Sequence, residues 1–207
     1  THDTRAFVPA TLAAPGPGGA FEVSPLAVEG STQSVASDLN RDGFSDLVFC
    51  PNASGVQHPR RMLTVIWGGP DGWLARRSNG FLPVYGAAGV AVADLDADGW
   101  PDIVTLNQKA WMPGQPDGRI VRLYRGGEGG FVLTRYLDIG VPDASALTQA
   151  DFDGDGADDA AVLCAGGKIR FLWGKSPAGG ARPSPLAAPA PAEPAFPETS
   201  EIEIPVR

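Results

Sequence analysis

The sequence contains few histidines, cysteines and basic residues. It has only two histidines and two cysteines in 207 residues, and 16 basic residues against 24 acidic ones. The net charge of −8 argues against a surface for nucleic acid or anionic lipid, so no nucleic-acid partner is predicted. Charges, prolines and glycines interrupt every apolar stretch before it reaches the roughly 20 residues that a membrane span needs. No span is predicted.

The few histidines and cysteines form no catalytic or disulfide motif. His2 lies near the start of the sequence and His58 precedes Pro59, and no nucleophile motif accompanies either histidine. Cys50 and Cys164 each end an apolar, strand-like run, which predicts buried free thiols. No Gly-rich phosphate loop follows a strand and opens a helix, so nucleotide chemistry has no support.

Glycine and proline are abundant instead. The sequence contains 27 glycines and 20 prolines, and its apolar residues make up 43 %. The remainder is rich in Val, Ile, Leu, Trp and Phe, which favour strands, while Gly and Pro favour the turns between them. The composition predicts an all-β fold and excludes a helical bundle.

One segment of the sequence recurs three times. Acidic loops begin at Asp38, Asp94 and Asp151, 56 and 57 residues apart. A strand-like stretch precedes each loop, and three more stretches follow it. In the third unit the last of these is predicted at 202–206. Four short antiparallel strands in a repeat of this length predict a β-propeller blade. Because propellers close with about four to eight blades, three units predict a segment of a larger propeller, or a chain that must associate.

The repeat also sets the predicted boundaries of the blades. Residues 5–30 are interpreted as the outer strands of a preceding blade, and 31–86, 87–140 and 141–207 as three successive blades. The last blade contains a Pro- and Ala-rich insertion at 177–197, which is typical of a flexible spacer.

Each acidic loop has the nine-residue pattern D-x-[DN]-x-D-G-x-x-D. The glycine at position six permits the positive φ of a sharp turn, so that oxygens at positions one, three and five can converge. Position seven varies in chemistry, as expected for a residue that donates only its backbone carbonyl. The predicted metal ligands are Asp38, Asn40, Asp42, Phe44 and Asp46; Asp94, Asp96, Asp98, Trp100 and Asp102; and Asp151, Asp153, Asp155, Ala157 and Asp159.

Calcium is the metal that such loops favour. Oxygen-only ligands suit a hard divalent ion, and magnesium prefers stricter octahedral sites. Half of the 24 acidic residues fall in the three loops, where they would repel one another unless a cation were bound. An EF-hand is excluded, because position twelve holds Phe49, Thr105 and Val162 instead of Glu. A single copy would also fit a polar turn, whereas three copies in register predict about three Ca²⁺ sites, of which the first, with Asn40, is the weakest.

The loops and their flanking strands resemble the FG-GAP/VCBS repeat of integrin-alpha-like β-propellers. The resemblance rests on the three loops with their V-A-x-A-D-L and D-[LI]-V flanks, and it covers roughly residues 20–175. The segments 67–72 and 82–84 are similar to the later strands of bacterial members. The resemblance implies calcium in the loop that joins the first two strands of each blade. Family members include adhesion receptors, lectins and accessory domains of polysaccharide-degrading enzymes, so it specifies no activity.

Two long loops on the rim of the propeller opposite the acidic loops form the candidate ligand surface. They connect the second and third strands of the first two units, whereas the third unit has a tight hairpin there. Long loops on a rigid scaffold often carry function, and an aromatic residue beside basic groups could stack on a sugar or protein surface. The candidate residues are Arg60, Arg61, Lys109 and Trp111. The alternative is that Trp111 packs over a neighbouring blade and the arginines are solvated.

The sequence therefore predicts an extracellular, calcium-stabilised β-propeller module for binding or adhesion, with a glycan or protein ligand and no catalysis of its own. Calcium affinities of such loops suit millimolar extracellular levels, which favours a secreted or cell-surface location. The alternative is the propeller part of a calcium-dependent polysaccharide lyase or hydrolase, with a cleft near Arg60, Arg61 and Lys109. Further blades of the same protein are a second predicted partner.

Overall fold

The computed structural model describes residues 9–15, 17–29, 31–51, 61–73, 80–84, 86–107, 119–175 and 198–203. Within these ranges the chain consists of strands and two short 3₁₀ turns, with no α-helix, and no helix there is long and apolar enough to cross a membrane. The strands are β1 (Pro9–Pro15), β2 (Phe21–Glu29), β3 (Ser31–Ser37), β4 (Asp46–Pro51), β5 (Arg61–Ile66), β6 (Gly80–Val84), β7 (Ala87–Ala93), β8 (Asp102–Asn107), β9 (Ile120–Tyr124), β10 (Tyr136–Gly140), β11 (Ala144–Ala150), β12 (Asp159–Cys164), β13 (Lys168–Trp173) and β14 (Glu198–Glu203).

The described strands form one two-stranded and three four-stranded antiparallel sheets. β1 pairs with β2 alone, and the other sheets are blade one (β3–β6), blade two (β7–β10) and blade three (β11–β14). Strands that follow one another in sequence are neighbours in each sheet. The first pair of every blade also has the same register shift, at Ser31/Gln33, Ala87/Gly89 and Ala144/Ala146. This repeated arrangement confirms the predicted all-β propeller segment.

The last described strand begins four residues before its predicted start. The pattern predicts a fourth strand at 202–206, but β14 spans Glu198–Glu203 and pairs residue for residue with Lys168–Trp173. The partner strand β13 sets this register, and residues 204–206 of the predicted strand lie outside the described residues. The predicted insertion at 177–197 lies outside the described residues.

The blades pack face to face through apolar side chains. Because side chains alternate along a strand, blade two contacts blade one through one face and blade three through the other. The core between blades one and two includes Val48, Leu63, Val65, Val90 and Ile103, and that between blades two and three includes Val104, Leu106, Leu147, Val162 and Leu172. Since both faces of blade two are covered, β8 and β9 are buried along their whole length.

Two apolar side chains on the outward face of blade three are exposed where their equivalents in blade two are buried. Leu163 and Phe152 are 43 % and 42 % exposed. The equivalent residues of blade two, Leu106 and Leu95, are both 0 % exposed, because they lie in the core shared with blade three. The outward face of the last described blade therefore has exposed apolar side chains at these two positions.

A buried ion pair joins β9 and β10 of blade two. Arg122 is 1 % exposed, and its Nε and Nη2 donate to the two carboxylate oxygens of Asp138 at 2.6 and 2.7 Å. Its guanidinium lies over the ring of Tyr136, 3.7 Å from the centroid. The bidentate geometry satisfies a charge whose desolvation would otherwise be costly.

Both cysteines are buried free thiols, as predicted. Cys50 lies in the core between blades one and two, and Cys164 in the core between blades two and three. Burial raises the pKa of the Cys50 thiol to about 11, which keeps it protonated and unreactive at neutral pH.

Candidate metal-binding loops

The three acidic loops join the first and second strands of their blades. Loop one (38–46) connects β3 to β4, loop two (94–102) connects β7 to β8, and loop three (151–159) connects β11 to β12. Each loop begins directly after its first strand, and its ninth residue opens the second strand. All three therefore lie at the same end of their blades.

Two positions in each loop have left-handed backbone. The position-six residues are Gly43, Gly99 and Gly156, with φ of 87, 90 and 89°. This confirms the sharp turn that the glycine predicts. Position four is also left-handed, in Arg41 and Ala97 at φ 56° and in Gly154 at φ 77°. The sequence does not reveal the left-handed position four, because three different residue types occupy it.

The left-handed position four gives a matched pair of substitutions. Gly154→Ala is expected to lower the free energy of unfolding by about 1 kcal/mol, because a Cβ is strained at positive φ. Ala97→Gly should change it by less than about 0.5 kcal/mol, since relief of strain offsets the greater freedom of the unfolded chain. Urea unfolding in excess CaCl₂ measures both. Equal losses of unfolding free energy in the two variants would contradict the conclusion that a Cβ is strained at this positive φ.

Backbone amides hold the carboxylates of each loop in place. The position-six N–H donates to the position-one carboxylate in all three loops, at 2.9, 2.9 and 3.0 Å. The position-seven N–H donates to the position-five carboxylate, at 2.9, 2.8 and 2.9 Å. These hydrogen bonds orient the predicted ligands. That the position-seven carbonyls of Phe44, Trp100 and Ala157 are ligands stays a prediction.

The aspartate at position nine is buried and connects two parts of the blade. Asp46, Asp102 and Asp159 are 0, 0 and 1 % exposed. One carboxylate oxygen accepts the position-two N–H, and the other accepts the N–H of the glycine at the end of the third strand. The donors and distances are Leu39 2.9 and Gly68 2.7 Å, Leu95 3.1 and Gly126 2.9 Å, and Phe152 3.0 and Gly174 2.8 Å. Position nine therefore fastens the loop to the third strand.

The glycine after the third strand leaves no room for a side chain. A Cβ on Gly126 would lie 2.2 Å from the carbonyl oxygen of Pro101. The corresponding distances are 2.2 Å from Gly68 to Ser45 and 2.1 Å from Gly174 to Asp158. The recurring glycine is visible in the sequence, but its close contact with the loop backbone is not.

Burial raises the pKa of the position-nine carboxyls. The pKa of Asp102 rises to about 7, because desolvation outweighs the hydrogen bonds from Gly126 and Leu95 and the charges of Asp96 and Asp98 add to it. The pKa of Asp46 and that of Asp159 rise for the same first reason. A bound cation would favour the charged forms instead.

In the presence of a chelator, the protein is expected to lose stability as the pH rises from about 4 to about 7. Asp102 has a pKa of about 7 in the folded state and an ordinary value of 3.8, so the folded state binds this proton more tightly. The resulting stability is fully present below the unfolded pKa and is lost as the pH rises through the folded pKa. Urea unfolding across this window measures the decline, and Asp102→Asn should flatten it. A rise in stability across the window would contradict it.

Carboxylate oxygens converge in loops two and three. Those of Asp94, Asp96 and Asp102 lie within 4.8 Å of one another, as do those of Asp151, Asp153 and Asp159. Asp94 Oδ1 is buried without a hydrogen-bond partner among the described residues, which is unfavourable for a charged oxygen unless a cation binds it. An oxygen-only donor set suits a hard divalent cation. The residues of both loops could therefore hold a metal ion.

Loop one differs from the other two. No equivalent group of three carboxylates is found there in the part of the chain that the structure describes. Its position-three residue is Asn40, whose amide donates to Asp42 Oδ2 at 3.1 Å. That loop one is the weakest site stays a prediction.

The predicted ligand surface is largely outside the described residues. Arg60, Lys109 and Trp111 lie in ranges that the structure does not describe, and Arg61 is the first residue of β5. The glycan- or protein-binding role of these residues stays a prediction.

Three antiparallel blades, each with an acidic loop at the same end, define the chain as a segment of a β-propeller. Residues 27–105 match the family model of the FG-GAP-like repeat. This segment, which includes loops one and two, is similar to an FG-GAP repeat, consistent with the resemblance seen in the sequence. Loop three lies beyond the matched residues and keeps the same nine-residue pattern. No curated protein matches the chain.

Proposed function

We propose that this chain is a calcium-stabilised β-propeller module that acts outside the cell by binding a glycan or protein ligand, without catalysis of its own. The observation that carries the calcium assignment is the convergence of three carboxylates in loop two, of which Asp102 is fully buried. Such a cluster is costly unless a cation neutralises it. Loop three has the same arrangement.

The loop geometry indicates what calcium would do. In loop two, Asp94, Asp96, Asp98, Asp102 and the carbonyl of Trp100 would hold the ion, which supplies positive charge to the cluster. Asp102 is already hydrogen-bonded to Leu95 and Gly126. Fixing this carboxylate would therefore strengthen the attachment of the loop to both the second and the third strand. Weak loops of this class fill at millimolar extracellular calcium, which supports the proposed location.

The outward face of blade three supports a second partner, a further blade of the same kind. Blade three covers Leu95 and Leu106 of blade two. The equivalent residues Phe152 and Leu163 are 42 % and 43 % exposed. Another blade packed in the same way would bury them.

Calorimetry tests the calcium assignment. Titration of chelator-stripped protein with CaCl₂ is expected to show saturable binding at up to about three sites, and Asp96→Asn with Asp98→Asn should remove one. Glu128→Gln is the matched control, since Glu128 is an exposed acidic residue in the turn after the third strand of the same blade. Absence of binding heat in the wild-type protein would overturn the proposal.

Incubation with polysaccharides tests the non-catalytic part of the proposal. Retention of the protein on a polysaccharide without any change in the polymer supports a binding module. Release of unsaturated oligosaccharides would overturn it in favour of a lyase. Loss of retention after chelation would connect the ligand surface to the calcium loops.

A further inference from the structure

Arg125 stands where the other two blades have tryptophan. Each third strand is followed by the glycine that donates to the position-nine aspartate, and the residue before that glycine is Trp67, Arg125 or Trp173. The loop-two site therefore has a positively charged side chain at the position where loops one and three have an aromatic one.

The guanidinium of Arg125 contacts a predicted metal ligand. Its Nη1 lies 3.3 Å from Asp96 Oδ2, and the two side chains are only 24 % and 9 % exposed. Asp96 belongs to the group of carboxylates that converge in loop two. Limited exposure reduces solvent screening, so this charge acts on the site more strongly than a surface arginine would.

A second guanidinium reaches loop two from loop one. Arg41 lies over the ring of Trp100, 5.4 Å from its centroid. Arg41, the position-four residue of loop one, therefore places a positive charge beside loop two. The equivalent position beside loop three is Ala97. Loop two therefore has arginines at two positions where loop three has Ala97 and Trp173.

We propose that Arg125, together with Arg41, sets the calcium affinity of loop two below that of loop three. This inference rests on the calcium binding proposed above. The guanidinium of Arg125 offsets part of the negative charge of Asp96 and repels an incoming divalent cation, so calcium binds loop two against an opposing charge. Loop three fills first, and loop two fills only at higher calcium concentration.

A calcium titration followed by NMR separates the loops. The amides of Gly43, Gly99 and Gly156 each donate to the first aspartate of their own loop, so each resonance reports one site. In the wild-type protein the Gly99 midpoint is expected at CaCl₂ concentrations at least about tenfold higher than the Gly156 midpoint, since Arg125 and Arg41 both oppose the ion.

Two reciprocal variants test the assignment to Arg125. Arg125→Trp gives blade two the residue of the other blades, and the Gly99 midpoint should fall about tenfold. Trp173→Arg gives blade three the residue of blade two, and the Gly156 midpoint should rise by a similar factor. Unchanged amide resonances in the strands show that each variant keeps its fold, and Arg125→Gln is the smaller replacement if Trp disturbs it.

The outcomes distinguish this inference from the proposed function. If all three glycine amides titrate but neither variant moves its own midpoint, the role of Arg125 is overturned and calcium binding stands. If no amide responds to CaCl₂ in the wild-type protein, calcium binding fails and the inference fails with it. A Gly99 midpoint at or below that of Gly156 in the wild-type protein also overturns the inference.

Discussion

Chelation with excess EDTA is expected to lower the melting temperature by about ten degrees, because occupied calcium sites stabilise the folded state by about 3–4 kcal/mol. Without a cation, the converging carboxylates of loops two and three repel one another. Asp102 and Asp159 are buried at the junction of two strands, so the loss extends beyond the loops. Thermal unfolding followed by circular dichroism in CaCl₂ and in EDTA measures the effect.

The controls for this experiment concern the identity of the cation. Excess CaCl₂ should restore the melting temperature after chelation, and an equal concentration of MgCl₂ should restore little of it, because magnesium holds its waters more tightly. Asp96→Asn with Asp98→Asn should make the protein less sensitive to EDTA. Identical melting curves in CaCl₂ and EDTA would show that the ion contributes nothing to stability.

Gly126→Ala is expected to lower the free energy of unfolding by at least about 3 kcal/mol, one of the largest losses that a single methyl group can cause. The added Cβ would lie 2.2 Å from the carbonyl oxygen of Pro101, which is backbone and cannot rotate away. Any shift that relieved the clash would also lengthen the hydrogen bond from Gly126 N to Asp102 Oδ1, now 2.9 Å. Urea unfolding in CaCl₂ measures the loss.

Gly129→Ala is the matched control for this substitution. Gly129 lies in the same Gly-rich segment, has no atom within 4 Å of an added Cβ and does not have positive φ. Its replacement should change the free energy of unfolding by less than about 0.5 kcal/mol. If both variants were equally stable, the close approach at Gly126 would not be a constraint on the fold.

Much of the fold could be predicted because the repeat preserves local patterns. The loops could be placed from aspartate and glycine spacing alone, since position six needs a residue that tolerates positive φ. The strands beside them followed from period-two alternation. The start of the fourth strand of blade three was predicted too late, at 202, because Glu198–Glu203 pairs with β13 in a register that only the neighbouring strand determines.

The positions of the candidate ligands follow from the loop pattern, whereas the contacts that hold these side chains in place do not. Asp102 could be named from the loop pattern, whereas its bonds to Leu95 and Gly126 join segments 7 and 24 residues away. The contact of Arg125 with Asp96 is equally non-local. The left-handed φ of Arg41 arises from closure of the loop, and nothing in its side chain indicates it. The spacing of residues in the sequence predicts local geometry, whereas contacts between strands can be seen only in the folded chain.

The two exposed apolar side chains on the outward face of blade three have a practical consequence for solubility. Phe152 and Leu163 expose a large share of their side chains, and exposed apolar side chains favour association with other apolar surfaces. The negative net charge of the chain opposes that association at low ionic strength. Concentrated salt screens this repulsion, so aggregation sets in more readily there than in dilute buffer.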